Sequence, residues 1–258
     1  MKIGKIEKYL YDELKKHGAI HMTLIDPDKS GDNAGIIARE AEKAGTSAIM
    51  VGGSIGVSEN LLDKTIISIK EHVSIPVILF PGNISGISRH ADAIWFMSLL
   101  NSSNTYYLID AQALGAIIVK KYGVEAIPLG YLVVGEGGAA GYVGQARAIP
   151  YDRPEIAAIY ALAGEYLGMR FIYLEAGSGA KRPVPPEMIK CVRELISIPL
   201  IVGGGIRNGE QAKKAVIAGA DIIVTGTIVE ESIDVRKKIQ QIIAEIRQGA
   251  RDRLKDEE

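Results

Sequence analysis

The chain has 258 residues, of which 47% are hydrophobic and 24% are charged. This composition allows a large buried core and excludes a disordered protein. The 30 Lys and Arg residues nearly balance the 31 Asp and Glu residues, for a formal net charge of -1, which argues against a protein that mainly binds nucleic acid. The single cysteine, Cys191, excludes an internal disulfide and a zinc site built from cysteines.

The N-terminal segment has apolar residues at helical spacing, at Ile3, Ile6, Leu10 and Leu14. Residues 1–18 are therefore predicted to form an amphipathic helix that covers one end of the fold. The segment has neither the long apolar stretch nor the cleavage site of a signal peptide. No part of the chain reaches the ~18 apolar residues that a membrane span needs. We expect a cytoplasmic protein without stable membrane insertion.

Short, β-branched apolar runs recur along the rest of the chain. They do not alternate polar with apolar residues, which is typical of strands that are buried on both faces in a parallel sheet. We predict strands at residues 19–25, 47–51, 76–80, 93–97, 125–134, 171–175, 199–202 and 221–225.

Helical patterns lie between most of these strands. The exception is PGNISGISRHAD, a short glycine-rich connection after the third strand, which is predicted to hold a loop or a single turn in place of a helix. Eight strand–helix units at this length predict an α/β protein with one domain, residues 1–258, folded as a (β/α)8 TIM barrel. A doubly wound open sheet is the competing fold. The mixed-charge residues 249–258 are expected to fray.

Glycine-rich turns follow the last three predicted strands, where the active sites of such barrels lie. They include Ser178 in EAGSG, Gly204 and Gly205 in GGGI, and Gly226 and Thr227 in TGT. Glycine lets the backbone approach an anion closely, and N–H groups at helix starts favour negative charge. The three turns together predict a site for a phosphate monoester that needs no lysine. The alternative is that the glycines only form tight turns.

A carboxylate follows the first predicted strand in the segment TLIDPDK, at Asp26, with Asp28 two residues further on. Mg²⁺ prefers such oxygen ligands and shares them with substrate phosphates. Ser54, after the second strand, could add a hydroxyl. Asp-Pro-Asp also suits a turn or a helix cap, and the spacing alone does not separate the two interpretations.

Glu175 ends an otherwise apolar strand. A carboxylate at that position is costly unless it faces a polar opening, so we predict that Glu175 holds a substrate hydroxyl and takes its proton. Tyr173 lies two residues earlier and points the same way on a strand. The alternative for Glu175 is a structural salt bridge to Arg207 or Lys181.

A long glycine-rich loop, residues 134–154, separates the fifth strand from its helix. Loops of this length in compact domains are usually functional, and we predict a lid that excludes water, with Tyr142 as a contact. Trp95, the one tryptophan of the chain, either lines an apolar groove or belongs to the core.

Seven segments in this order resemble the geranylgeranylglyceryl phosphate synthases and their bacterial PcrB relatives: TLIDPDK, MVGGS, FPGN, WFMSLLNS, YLEAGSG, VGGGIR and VTGT. The resemblance runs from about residue 19 to about residue 230. TLIDPDK together with YLEAGSG is specific, whereas GGGIR occurs in many phosphate-binding barrels. The N-terminal helix and the long loop are similar to those of the larger archaeal-type subgroup.

The resemblance implies a Mg²⁺-dependent prenyltransferase of lipid biosynthesis. It would join the C3 hydroxyl of sn-glycerol 1-phosphate to geranylgeranyl diphosphate and release pyrophosphate, which forms the first ether bond of an archaeal membrane lipid. It also implies a homo-oligomer, a dimer or a hexamer. Glu175 would be catalytic, Asp26 and Ser54 would bind the metal, and Trp95 and Tyr142 would belong to a prenyl groove or lid. The glycerol phosphate site would comprise Tyr173, Leu174, Glu175, Ala176, Gly177, Ser178, Gly179, Gly204, Gly205, Gly226 and Thr227.

Three alternatives stay open. A bacterial-type heptaprenylglyceryl phosphate synthase would use a C35 donor, and the residues do not decide the donor length. A sugar-phosphate isomerase would need a second carboxylate after strand five, where only Glu136 is available. A non-catalytic phosphate-binding protein would not need Asp26, Ser54 and Glu175, all of which are present. The absence of any DDxxD motif excludes a helical prenyl synthase.

Overall fold

The computed structural model describes residues 2–53, 57–227 and 234–256. Eight parallel strands close into a barrel in which each strand pairs with its neighbours in sequence and the last pairs with the first. This confirms the TIM barrel and excludes the open sheet. The strands are β1 Ile20–Ile25, β2 Ala48–Val51, β3 Val77–Leu79, β4 Ala93–Leu99, β5 Glu125–Val133, β6 Phe171–Glu175, β7 Leu200–Gly203 and β8 Ile222–Thr225.

Helices surround the barrel and connect its strands. Among the described residues they are α1 Lys5–His17, α2 Pro27–Ser30, α3 Ala34–Ala44, α4 Glu59–Lys70, α5 Ala111–Tyr122, α6 Gly138–Val143, α7 Pro154–Tyr166, α8 Pro186–Leu195, α9 Gly209–Ile217 and α10 Val235–Asp256. The connection after β3 contains only a 3₁₀ turn, Ile84–Gly86, as the sequence predicts. None of the helices in the described ranges is both long and apolar enough to cross a membrane.

The N-terminal helix α1 closes the end of the barrel where the strands begin. Both carboxylate oxygens of Glu125, the first residue of β5, accept hydrogen bonds at 2.8 Å from the free backbone N–H groups of Ile6 and Glu7. The buried carboxylate of Glu7 pairs with Arg170 at 2.7 Å, and Leu10 is fully buried in the barrel interior. The opposite end of the barrel is thereby left for the site.

The C-terminal residues do not fray as expected, because α10 continues to Asp256. Its apolar residues Ile239, Ile242, Ile246 and Ala250 are buried at helical spacing against the barrel and its helices. Near its end, Arg253 Nη2 donates a hydrogen bond of 2.9 Å to the carbonyl oxygen of Gly18. The expectation of fraying from residue 249 is therefore wrong for residues 249–256, because Ala250 is buried and Arg253 anchors this part of the helix to the barrel.

Alternation along β6 decides which of its side chains can reach a ligand. Phe171 and Tyr173 belong to the barrel interior, and Glu175 continues that face at the end of the strand. The intervening side chains, Ile172 and Leu174, pack in the outer layer against helices.

Candidate active site

Glu175 lies at the end of β6 and is only 6% exposed. Its Oε1 accepts a hydrogen bond of 2.6 Å from the backbone N–H of Gly177. Burial raises the pKa of Glu175, while the N–H of Gly177 and the hydroxyl groups of Tyr173 and Tyr131 lower it in part. The predicted alternative, a salt bridge to Arg207 or Lys181, is not formed, because the hydrogen-bond partners of the carboxylate are these neutral donors.

Tyr131 is a site residue that the sequence analysis missed. It stands opposite Tyr173 in the register of β5 and β6, and the two rings lie 5.3 Å apart between centroids. Phe80 stacks on Tyr173 at 5.4 Å and completes an aromatic floor beneath Glu175. Burial and the nearby Glu175 carboxylate raise the pKa of both tyrosines well above 10. Both hydroxyl groups therefore stay protonated and can donate to the carboxylate.

A glycine-lined cavity opens on one side of Glu175, between the ends of β6, β7 and β8. We call it the acceptor cavity; its lining includes Tyr173, Glu175, Ser178, Gly179, Gly204, Gly205, Arg207, Gly226, Thr227, Asp234 and Lys238. The predicted glycine turns are thus brought together. The hydroxyl oxygens of Ser178 and Thr227 lie 3.4 Å apart across it.

The turn after β7 requires glycine at two positions, because atoms of neighbouring residues lie where a side chain would be. Gly204 and Gly205 have φ values of +80° and +70°, in the region that favours glycine. A Cβ on Gly204 would overlap Oε1 of Glu175, and a Cβ on Gly205 would lie 2.6 Å from the carbonyl oxygen of Arg182. Any side chain at 204 would therefore displace the carboxylate or close the space in front of it.

Two members of the predicted acceptor loop do not present their side chains to the cavity. Leu174 and Ala176 are fully buried among the residues that pack against the helices, because alternation along the strand turns them outward. The N–H of Ala176 is also used by the carbonyl oxygen of Gly203, at 3.1 Å. The side chains of these two residues therefore do not line the cavity, and their place in the acceptor site stays a prediction.

A second cavity, which we call the apolar groove, opens on the other side of Glu175. It runs past β3, β4 and β5 to helices α5 and α6. Its apolar and aromatic lining includes Leu24, Phe80, Ile87, Phe96, Met97, Leu99, Tyr107, Val119 and Val143. Glu175, Ser178, Gly226 and Thr227 line both the groove and the acceptor cavity. The buried carboxylate therefore stands at the junction of the two spaces.

Trp95 lines the apolar groove and also belongs to the core, whereas Tyr142 does not line the groove. Trp95 reaches the wall of the groove but is fully buried, and its ring packs edge-on against Phe171 at 5.1 Å. It thus belongs mainly to the core. Tyr142 is 89% exposed and lines neither cavity, so the structure does not bring it to the site, and its role as a lid contact stays a prediction. Helical geometry places Ala140 and Val143 of α6 on the face that lines the groove and turns Tyr142 away from it.

Asp26 lies at the polar end of the apolar groove. Its Oδ1 accepts a hydrogen bond of 3.1 Å from the N–H of Asp28, so the carboxylate caps the short helix α2. Its Oδ2 is 3.9 Å from Nζ of Lys29, which lines the same groove. Burial raises the pKa of Asp26, which indicates that the ionised form lacks full compensation and would gain from a cation.

The residues present fit a magnesium ion bound mainly by other ligands. Asp26 supplies one hard oxygen ligand, while Ser54, the second predicted ligand, lies outside the described residues. In the described ranges, no three His, Cys, Asp or Glu side chains are grouped as a metal cluster. Mg²⁺ commonly keeps several waters and uses one or two carboxylates plus substrate phosphates, which is compatible with a single aspartate.

A closed parallel barrel with a glycine-lined anion cavity after its last strands is the arrangement of the phosphate-binding (β/α)8 barrels. The model of the PcrB family matches residues 11–246, and the chain belongs to this family. The chain is 55% identical over 254 residues, 98% of its length and 99% of the relative's, to the geranylgeranylglyceryl phosphate synthase of Thermofilum pendens. It is 56% identical over 246 residues, 94% of its length and 97% of the relative's, to that of Thermococcus gammatolerans.

A solved structure agrees over nearly the whole barrel. It is (S)-3-O-geranylgeranylglyceryl phosphate synthase from Thermoplasma acidophilum in complex with its substrate sn-glycerol-1-phosphate. That protein is 43% identical to this chain, with a TM-score of 0.90, and the match covers 96% of this chain and all of the other.

Proposed function

We propose that the protein is a geranylgeranylglyceryl phosphate synthase, which transfers a C20 prenyl group to the C3 hydroxyl of sn-glycerol 1-phosphate. The observation that carries the proposal is the position of Glu175, which lines both the apolar groove and the acceptor cavity. An apolar donor and a phosphorylated acceptor can therefore meet at one buried carboxylate. The full-length similarity to synthases with this name supports the same reaction.

The acceptor part of the proposal uses the glycine turns. The phosphate binds the N–H groups and hydroxyls of the acceptor cavity, and the C3 hydroxyl points toward Glu175. Glu175 accepts the hydrogen bond of that hydroxyl and takes its proton, because burial makes this carboxylate a stronger base than usual. The hydroxyls of Tyr131 and Tyr173 hold the carboxylate in place.

The donor part uses the apolar groove. The prenyl chain lies among its aromatic and aliphatic side chains, and the diphosphate lies at the polar end beside Asp26 and Lys29. Asp26, with Ser54 as the second candidate, would hold Mg²⁺, which when bound neutralises the charge of the leaving diphosphate. The bond between C1 of the donor and the diphosphate oxygen breaks. The glycerol oxygen bonds to C1, and its proton goes to Glu175.

The proposal includes a homo-oligomer, a dimer or a hexamer, that works in the cytoplasm. The helix α5 carries Leu114 and Ile117 with 60% and 64% of their surface exposed, and apolar exposure of this extent on one helix is typical of subunit contacts. Light scattering of the purified protein would measure the copy number, and a monomer would contradict this part of the proposal.

A direct assay tests the reaction. Purified protein is incubated with Mg²⁺, either enantiomer of glycerol phosphate, and allylic diphosphates of C10, C15, C20 and C35, and the products are identified by mass spectrometry. We expect ether product and pyrophosphate only with the sn-1 enantiomer and most rapidly with C20. Preference for C35 would favour the heptaprenyl reaction. No pyrophosphate release with any pair would favour the isomerase or the non-catalytic alternative. The exposed position of Glu136 outside both cavities disfavours the isomerase.

A further inference from the structure

The acceptor cavity contains cationic side chains as well as glycines. Arg207 and Lys238 both contribute to its lining, although the sequence predicts a phosphate site without a lysine. Arg207 follows the β7 turn, whereas Lys238 lies about 30 residues further along the chain, in the first turn of α10. The cavity therefore gains a positive charge from a helix that the glycine motifs do not include.

Arg207 forms hydrogen bonds that hold the loop after β6. Its Nη2 donates a hydrogen bond of 3.3 Å to the carbonyl oxygen of Gly179, and its backbone N–H donates one of 2.7 Å to Oε1 of Gln211. These contacts link the loop after β6 to the start of α9. Arg207 thus shapes the cavity from its edge.

The side chain of Lys238, in contrast, forms no such contact within the described residues. Its side chain is half-buried, and within the described residues its ammonium group forms neither an ion pair nor a hydrogen bond. The neighbouring acid Asp234 also lines the cavity, but its Oδ1 accepts the N–H of Lys237 at 3.0 Å and caps α10. Lys238 is therefore a long cationic side chain that borders an anion cavity and, among the described residues, has no ion-pair partner.

We propose that Lys238 is a further acceptor-binding residue, whose ammonium group pairs with the phosphate dianion of the acceptor; this rests on the proposed function. Backbone N–H groups satisfy phosphate oxygens but carry only partial charge, whereas a charge-assisted hydrogen bond from an ammonium group is stronger. Because the phosphate does not change during the transfer, Lys238 stabilises the bound substrate and the transition state equally.

The adjacent lysine provides a matched control. Lys237 lies in the same helical turn and is exposed, and it is not part of the cavity lining. Lys238→Gln and Lys237→Gln therefore remove the same charge from the same region. In the presence of solvent and salt, the pairing of one ammonium group with a phosphate dianion is worth about a three- to ten-fold change in affinity. Lys238→Arg keeps the charge and should restore most of the binding.

Binding is measured by calorimetry with sn-glycerol 1-phosphate and with inorganic phosphate, in the absence of donor. We expect Lys238→Gln to weaken both by about three- to ten-fold and Lys237→Gln to leave both unchanged. In the complete assay, KM for the acceptor should rise with kcat and the donor KM unchanged. The salt dependence of the acceptor KM should be shallower in Lys238→Gln than in the wild type.

Two results would overturn the proposal about Lys238 while leaving the function intact: equal acceptor affinity in the wild type and Lys238→Gln, or equal weakening by Lys237→Gln. A wild type that binds neither ligand would instead overturn the proposed function itself. The melting temperatures of the three variants are the control for stability. If they equal that of the wild type, the differences in acceptor affinity come from the cavity and not from partial unfolding.

Discussion

The hydroxyl group of Tyr173 occupies the space that a Cβ on Gly203 would need. The glycine at the end of β7 therefore lets this hydroxyl reach Glu175. We expect Gly203→Ala to displace the ring, to cost about 1–3 kcal/mol of stability by overpacking and to lower kcat. In a Tyr173→Phe background, which lacks the hydroxyl, the same substitution should cost less. A double-mutant cycle of kcat and unfolding free energy measures the difference, and strictly additive effects would contradict the coupling.

Glu175→Gln tests the proposed base. The amide has nearly the same shape but cannot take the proton of the acceptor hydroxyl, so we expect the fold to persist and kcat to fall about 100-fold or more. Steady-state kinetics and circular dichroism measure the two effects. Glu136→Gln, an exposed carboxylate outside both cavities, is the control. Turnover near that of the wild type would remove Glu175 from the mechanism.

Tyr131→Phe tests the hydrogen bond that the Tyr131 hydroxyl donates to Glu175 from the side of the apolar groove. The Tyr131 hydroxyl lowers the pKa of Glu175, so its loss should raise that pKa further. Because the active form of a base is ionised, kcat/KM rises as the pH passes the pKa, and the acidic limb of the profile should move to higher pH in the variant. A lower plateau with an unmoved limb would mean that Tyr131 only packs against the site.

Much of the barrel could be predicted because its strands are buried on both faces. Their ends lie within two residues of the predicted ones, since a continuous apolar run stops where the chain leaves the barrel. Glu175 could be predicted for the same reason, because a carboxylate at the end of such a run must face an opening.

The remaining site residues depend on relationships that one strand does not contain. Tyr131 matters because β5 places it opposite Tyr173, which needs the register of two strands. Lys238 reaches the acceptor cavity from a helix that follows the last strand. The direction of the Tyr142 side chain could not be predicted, because it depends on the rotation of the short, glycine-rich helix α6, which no amphipathic pattern fixes.

Asp26→Asn tests the proposed metal ligand. The amide keeps an oxygen that can accept the N–H of Asp28, so the cap on α2 should survive while the charge is lost. We expect the Mg²⁺ concentration for half-maximal activity to rise sharply, because a hard divalent cation prefers an ionised oxygen ligand. A Mg²⁺ titration of activity measures it, with Asp28→Asn, an exposed neighbour outside the groove lining, as the control. Unchanged titrations in both variants would reject the role of Asp26.

Trp95→Ala tests whether this residue limits the length of the donor. Its ring is fully buried against Phe171, so the substitution should cost about 3–5 kcal/mol of stability. It should also open space at the wall of the groove and shift preference from C20 toward C35. Tyr107→Ala, at a partly buried aromatic side chain of the same groove, is the comparison, since it widens the groove without removing core. The ratio of kcat/KM values for C20 and C35 donors measures the preference. An unaltered ratio in Trp95→Ala would assign that tryptophan to the core alone.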